Sequence, residues 1–280
     1  MNALELINYG SNELRKAGIS SSSLDSEIIL SKILKEKREK ILINLKQEID
    51  QIKVSIFKKL VKRRSFKEPL AYIFKEKEFW NKLFEVSKDT LVPRPETELM
   101  VERLVKIYKG KKIRILDVGT GSGCILIGLL TELKHSNGIG IDISNKTVSI
   151  AKKNANKLLP NKNVKFFINK IEAINLGIFD LIVSNPPYIK SSLLVNLDKG
   201  IKLYEPKIAL DGGNDGLDVI KKVIYKSVEI LKISGMLALE IGNEQQFEVS
   251  KILTKKNFRI EHIIKDYKEN TRCLISRLNR

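Results

Sequence analysis

With only two cysteines, Cys124 and Cys273, in 280 residues, the chain has no basis for a disulfide framework. That scarcity fits a reducing compartment, and a cytoplasmic setting is expected. No apolar run approaches the roughly 20 residues of a bilayer-crossing helix, so no membrane partner is expected. The opening MNALELINYGSNELRKAG lacks a basic segment followed by an apolar one and does not read as a secretory signal. Internal repeats and low-complexity tracts are also absent.

Acidic residues are in short supply. Against 51 Lys and Arg stand 33 Asp and Glu, a formal net charge of +18 that would attract phosphate over long range. The surplus is spread over both halves of a chain rich throughout in Lys, Ile and Asn, so general composition accounts for most of it. One stretch, 53–82, concentrates it with ten Lys or Arg against three Glu. Such runs are usually a solvated helix face, and direct nucleic-acid binding is not expected.

Within these bounds the length allows two domains, each with its own core. Residues 1–70 carry apolar positions at helical spacing, Leu4, Ile7 and Leu14, then Leu24, Ile28, Ile29 and Ile33. The segment SSSLD supplies a helix start with Asp25 three residues after Ser22. A small all-α bundle is expected here, acting as a substrate-docking domain. Residues 71–95 turn irregular and aromatic, with the alternation Leu83, Phe84, Val86 suiting a hairpin-like connector closed by Pro93 and Pro95. Residues 96–280 change texture again, to the strand candidates IRILDVG, GIGIDIS, VKFFI, FDLIVSN, GMLALEIG, FRIEHII and RCLISRL. The first five alternate with amphipathic helical stretches, so right-handed crossovers are expected; the last two should pair antiparallel. The expected fold is α/β, a Rossmann-like seven-stranded, mostly parallel sheet with an antiparallel edge.

ILDVGTGSGC, residues 115–124, is a strand entering a glycine-rich turn that opens a helix. Gly119, Gly121 and Gly123 allow positive φ and close backbone approach to a ligand. Dinucleotide sites use a similar loop. Here the strand ends in Asp117, which would repel a pyrophosphate, and the next ends in Asp142, placed to accept from ribose hydroxyls. Two acids in these places suit a nucleoside with no phosphate and a cationic amino-acid tail, S-adenosylmethionine. Gly119, Thr120, Gly121, Ser122, Gly123 and Asp142 are the candidate cofactor residues. A helix N-cap role for Asp142, ahead of the helix after DISN, is compatible with this.

The fourth strand delivers SNPPYIK, 184–190, at the sheet end where such folds bind ligands. Two prolines remove backbone donors and fix φ, which leaves carbonyls free. The Asn185 side-chain oxygen and the Pro186 carbonyl form a pair of acceptors for one NH2 group, and Tyr188 offers a flat face to a planar substrate. A planar NH2 is a poor nucleophile because its lone pair is delocalised. Two acceptors holding both hydrogens would favour a pyramidal nitrogen, and in-line attack on a sulfonium methyl could then proceed by positioning, worth up to ~7–11 kcal/mol. Asn185, Pro186 and Tyr188 are the candidate catalytic residues, with Pro187 joining them in substrate binding and Asn185 also reaching the cofactor. No metal and no general base are called for.

Together, ILDVGTGSG and SNPPYI resemble class I methyltransferases that act on planar amino groups, which include adenine-N6 and cytosine-N4 DNA enzymes and protein glutamine-N5 enzymes. LVPRPETELMVE (91–102), EPLAYIFKEKEFW, YEPKIALDGGNDGLD and LALEIGNEQ resemble the release factor glutamine methyltransferases, the HemK/PrmC family, over 68 to about 272. The resemblance implies methyl transfer from S-adenosylmethionine, leaving S-adenosylhomocysteine, to the glutamine of the Gly-Gly-Gln loop in class I peptide chain release factors. It implies that Gly119 to Gly123, Asp142 and Asn185 contact the cofactor and Asn185 to Tyr188 hold the glutamine; a monomer is expected. In NKIEAI, 169–174, Lys170 and Ile171 depart from the family pattern, so no residue is assigned to adenine. Phe74 and Lys75 stand where many members have a glycine. A DNA adenine-N6 methyltransferase is the alternative, but it would need a base-reading surface. A ribosomal-protein glutamine methyltransferase is another, but it shares NPPY without PRPETE. A non-catalytic binding module would leave both motifs unexplained.

Overall fold

The computed structural model describes residues 1–160 and 163–279. The chain divides into two compact units: Met1–Lys75 with Asp198–Tyr204, and Glu76–Leu197 with the chain from Glu205 onward. The stretch 71–95 is thus shared between them.

The first unit is helical: α1 (Ala3–Lys16), α2 (Ser22–Leu34), α3 (Arg38–Ile43), α4 (Gln51–Ser65) and α5 (Leu70–Phe74). A capping box starts α1, with Asn2 Oδ1 accepting from Glu5 N at 2.9 Å and Glu5 Oε2 from Asn2 N at 3.0 Å. Its inner face buries Leu6, Ile7 and Leu14 against Ile29 and Leu30 of α2 and Val54, Phe57 and Val61 of α4. Phe57 is fully buried, so Phe57→Ala should cost ~3–5 kcal/mol. Leu4 and Leu24, expected inside by spacing, lie on the solvent side. Asp25 does not cap α2; it accepts from Arg64 Nε at 2.7 Å, tying α2 to α4. A buried carboxylate gains more from a guanidinium than from one backbone N–H. Other cations of the 53–82 run are likewise engaged: Arg63 with Glu68, Lys53 with Asp50, Lys67 with the Gly18 carbonyl. Tyr204 Oη donates to the Phe66 carbonyl at 3.2 Å, holding the 198–204 segment in this unit.

The second unit opens with the hairpin β1 (Glu76–Phe79) and β2 (Lys82–Glu85), joined by Trp80 and Asn81, both at positive φ (51° and 52°). A two-residue turn of this kind matches the twist of the strands. Trp80 is an unusual residue for it, and it is held by bonds from its N to Glu98 Oε1 (3.1 Å) and from its Nε1 to Glu132 Oε1 (3.0 Å). There follow α6 (Pro95–Tyr108), β3 (Arg114–Val118), α7 (Cys124–Glu132), β4 (Asn137–Asp142), α8 (Asn145–Leu158), β5 (Val164–Ile168), β6 (Phe179–Ser184), α9 (Lys199–Tyr204, in the helical unit), α10 (Asp218–Ile230), β7 (Leu231–Glu240), α11 (Gln246–Lys255), β8 (Phe258–Lys265) and β9 (Thr271–Leu278).

The sheet order is β5-β4-β3-β6-β7-β9-β8, parallel from β5 to β7, with β9 antiparallel to both its neighbours. Both faces are covered at the central strands, so β3 and β6 are apolar at most positions, while the edge strands β5 and β8 are mostly exposed or half-buried. Along β6, Leu181 and Val183 pack into one layer with Leu126 and Met100, while Ile182 packs into the other with Ile220 and Leu239. β7 begins before the expected GMLALEIG; Ser234 at φ 63° ahead of Gly235 lets the strand bend, and its register against β6 shifts there. The order turns around at β3, which sends one crossover to β4 and has β6 on its other side. A crevice for ligands is expected beyond the carboxyl ends of these two strands.

Candidate active site

That crevice is where the two motifs meet. Val118 of β3 pairs with Ser184 of β6, and Ser184 Oγ donates to the Val118 carbonyl at 2.8 Å. The glycine turn and the NPPY loop therefore leave the sheet side by side.

Gly119, Gly121 and Gly123 all take positive φ (70°, 56°, 82°). A Cβ on Gly119 would meet nothing within 4 Å, and one on Gly121 only the Gly119 carbonyl at 4.0 Å, so the turn faces open space. Gly123 faces inward, toward Ile127, Ala151 and Phe166. Thr120 and Ser122 are buried: the Thr120 hydroxyl donates to Asp117 Oδ2 at 2.7 Å, and the Ser122 carbonyl accepts from Asn154 Nδ2 at 2.9 Å. Of the five residues, the outward surface is therefore glycine backbone.

Beneath the turn lies Asp117, fully buried, with its Oδ1 lacking any hydrogen-bond partner. Burial pushes its carboxyl up to about 7, against the pull of the Thr120 hydrogen bond. At the end of β4, Asp142 accepts from Gly121 N (3.2 Å) and Ser144 N (3.0 Å), and burial raises its pKa as well. Asp142 is not the N-cap of α8. Ser144 is, accepting from Thr147 N at 3.3 Å. Each Asp142 oxygen keeps a lone pair for a further donor.

These residues fit the cofactor inferred from sequence. An open glycine cradle, a carboxylate with spare acceptor capacity and an orphaned buried carboxylate oxygen suit a ligand bearing hydroxyls and a cationic amino-acid end. Lys170 is exposed, and Ile171 is buried in the core.

On the other side, Asn185 is half-buried. Its Nδ2 donates to Thr97 Oγ1 at 3.4 Å, and Thr97 Oγ1 donates to Glu240 Oε2 at 2.6 Å. Thr97 lies in the first turn of α6, started by Pro95, and Glu240 ends β7. With its NH2 engaged, Asn185 keeps Oδ1 as an acceptor with no partner among the described residues; the Pro186 carbonyl is free in the same sense. Burial raises the Tyr188 hydroxyl to about 12, so Tyr188 is neutral.

The loop is braced from behind by LDGGNDG, 210–216. Ile189 N donates to the Leu210 carbonyl, Gly212 N to the Ile189 carbonyl and Ser191 N to the Gly213 carbonyl, at 3.0, 2.8 and 2.9 Å. A Cβ on Gly212 would lie 2.8 Å from the Pro187 carbonyl, so the two backbones touch as only glycine permits. Gln245 Nε2 donates to the carbonyls of Tyr188 and Gly216, at 2.9 and 3.1 Å. Arg94 pairs with the buried Glu205 at 2.6 Å. PRPETE, YEPKIALDGGNDGLD and LALEIGNEQ thus converge on one loop. Thr97, Glu240, Gln245 and the Arg94–Glu205 pair received no role from sequence; their signal was membership of these three motifs.

The PrmC N-terminal domain model matches residues 5–74, and a methyltransferase domain model matches 109–273. The release factor glutamine methyltransferase of Fusobacterium nucleatum is 38% identical over 98% of this chain and 78% of its own length. That of Buchnera aphidicola subsp. Baizongia pistaciae is 37% identical over 96% of each chain. The chain belongs to the release factor glutamine methyltransferase family. It also matches the bifunctional methyltransferase of Rickettsia conorii, 33% identical over 97% of this chain, of which it spans only 57%. In solved structures, a Pyrococcus furiosus methyltransferase (TM-score 0.54, 17% identity, 70% of this chain and 89% of that one) shares the fold. So does a ribosomal protein L11 methylase from Lactobacillus delbrueckii subsp. bulgaricus (TM-score 0.52, 18% identity, 70% and 84%).

Proposed function

We propose that this chain methylates the side-chain amide nitrogen, N5, of the glutamine in the Gly-Gly-Gln loop of class I peptide chain release factors, with S-adenosylmethionine as methyl donor. When bound, the cofactor supplies an electrophilic sulfonium methyl. Gly119 and Gly121 would allow it close backbone approach, Asp142 would accept from its hydroxyls, and Asp117, when ionised, would favour its cationic amino-acid end. The Asn185 Oδ1 and the Pro186 carbonyl hold the two hydrogens of the glutamine amide, and Tyr188 packs against its plane. Positioning then carries the rate, and the departing proton passes to one of these acceptors or to water.

The observation that carries this reading is the anchoring of Asn185 Nδ2 on Thr97, which leaves Oδ1 an acceptor with no partner among the described residues, as the Pro186 carbonyl is. We further propose that residues 1–70 dock a remote part of the release factor and that the protein works as a cytoplasmic monomer; among the described residues no helix is long and apolar enough to cross a membrane. Incubation with labelled S-adenosylmethionine and either release factor or DNA, followed by mass spectrometry of tryptic peptides, tests the proposal. Label on the Gly-Gly-Gln peptide supports it. Label on DNA adenine, or on another protein residue only, overturns it.

A further inference from the structure

We infer that Thr97 is a positioning residue for Asn185, and that Glu240 sets the direction in which the Thr97 hydroxyl points; this rests on the glutamine-methylating reading above. A hydroxyl has one proton to give and lone pairs to receive. The Thr97 proton is spent on Glu240 Oε2 at 2.6 Å, in a site where both residues are buried. What Thr97 presents to Asn185 is therefore a lone pair, and only the NH2 end of the amide can use it, at 3.4 Å; Glu240 draws on the same NH2 end directly, so both contacts favour one orientation of the amide. The Asn185 oxygen is left without a partner among the described residues, as is the Pro186 carbonyl. Were the hydroxyl to donate to Asn185 instead, the amide would be drawn round and would meet the substrate NH2 with hydrogens of its own.

The polarity of this three-residue relay depends on Glu240 being an acceptor. Its surroundings divide: Arg272 on β9 and the hydrogen bonds from Thr97 and Asn185 favour the carboxylate, while burial and the charge of Glu96 on α6 oppose it. Tyr188, Cys124 on α7 and Cys273 on β9 also face it, each neutral at physiological pH because burial raises its pKa. Burial is the largest influence and brings Glu240 up to about 7. Above that pH the carboxylate accepts from Thr97. Below it the acid can donate, which frees the Thr97 proton to point at Asn185. Methyl transfer should weaken as pH falls through this range.

The test uses purified full-length protein and a release factor, with single-turnover rates at saturating S-adenosylmethionine and calorimetric titration with S-adenosylhomocysteine. Thr97→Val keeps the shape and removes the hydroxyl; the rate should fall about tenfold or more, with KM for the factor and cofactor affinity within about twofold. Thr97→Ser, which restores the hydroxyl, should recover the rate to within about threefold. Glu240→Gln removes the titrating group, so the fall in rate from roughly pH 8 to pH 6 seen in the wild type should flatten. Asp117 titrates in the same range, but saturating cofactor suppresses its contribution and its part persists in both proteins. A Thr97→Val protein that turns over at the wild-type rate overturns the inference. So does a Ser variant no better than Val, or an acid limb identical in wild type and Glu240→Gln. A wild-type protein that leaves the release factor unmethylated sinks the functional reading, and this inference with it.

Discussion

Asp117→Asn should make the unliganded protein more stable at pH 8 and less able to bind cofactor. The carboxyl is fully buried, with Oδ1 unpartnered, and burial moves it from its ordinary 3.8 to about 7. A folded pKa above the unfolded one means a contribution to stability that is complete below about 3.8 and lost as pH rises through about 7. At about 1.4 kcal/mol for each tenfold change in proton affinity, the gap is worth at most ~4 kcal/mol at pH 8. Asn keeps an acceptor for Thr120 but buries an unpaired NH2, a cost of ~1–3 kcal/mol. The net expected gain is ~1–3 kcal/mol, read as a rise of roughly 2–4 °C in Tm per kcal/mol. At pH 4 the gain should vanish. The cost appears in binding: S-adenosylhomocysteine affinity should drop at least about tenfold, through loss of the buried negative charge beneath the glycine turn. Wild-type binding near pH 7 should also release protons, visible as a dependence of calorimetric heat on the buffer. Equal changes in Tm at pH 8 and pH 4 would refute the argument, as would a destabilised variant at pH 8.

Asp142→Ala should weaken S-adenosylmethionine binding by ~1.5–3 kcal/mol in calorimetric titration, since it removes the acceptors proposed for the ribose and frees Gly121 N; an unchanged Kd with the fold intact would take Asp142 out of the site. Asn185→Ala should retain cofactor and lose methyl transfer, lowering kcat and kcat/KM together in steady-state assays on release factor. Wild-type turnover by Asn185→Ala would dismiss the acceptor role. Gln245→Ala removes two bonds to loop carbonyls and should reduce kcat by about tenfold while Tm falls by only a few degrees. If the 53–82 run helps docking, added salt should raise KM for the intact factor but not for a short Gly-Gly-Gln peptide. A parallel rise in both would discard that idea.

The seven strands and their directions were legible because each is a short run rich in apolar residues, the first five separated by helical periodicity and the last two by a short turn-like stretch. Irregularities were less visible. β7 starts four residues before Gly235 because Ser234 adopts positive φ, a choice no local pattern announces. In the helical unit, spacing rightly placed Ile7, Leu14 and Ile29 inside, but it also placed Leu4 and Leu24 there, and Leu6 and Leu30 are buried in their stead. Apolar residues adjacent in sequence leave the phase of a helix open, and it is set by packing among α1, α2 and α4, with the Arg64–Asp25 pair joining α2 to α4. The assignment of Asp198–Tyr204 to the helical unit rests on contacts such as Tyr204 with Phe66, 138 positions apart, and has no local signature.

At the site, residue types identified partners but not the direction of the bonds between them. Asn185 was proposed as an acceptor from sequence because two prolines follow it and strip the loop of competing donors. Nothing in NPPY says which end of the amide faces the crevice. That choice is made 88 positions upstream at Thr97, whose own proton is claimed by Glu240, 143 positions downstream of it. The same holds for Thr120, expected to face a ligand and found turned inward to Asp117. A hydroxyl in a buried network has one proton, and the strongest acceptor within reach takes it. Where that acceptor is a carboxylate, every neighbour of the hydroxyl must meet a lone pair. The carboxylates therefore orient this site: Asp117 by holding the Thr120 hydroxyl inward, Glu240 by taking the Thr97 proton and a bond from the Asn185 amide, which leaves the Asn185 oxygen unpartnered among the described residues.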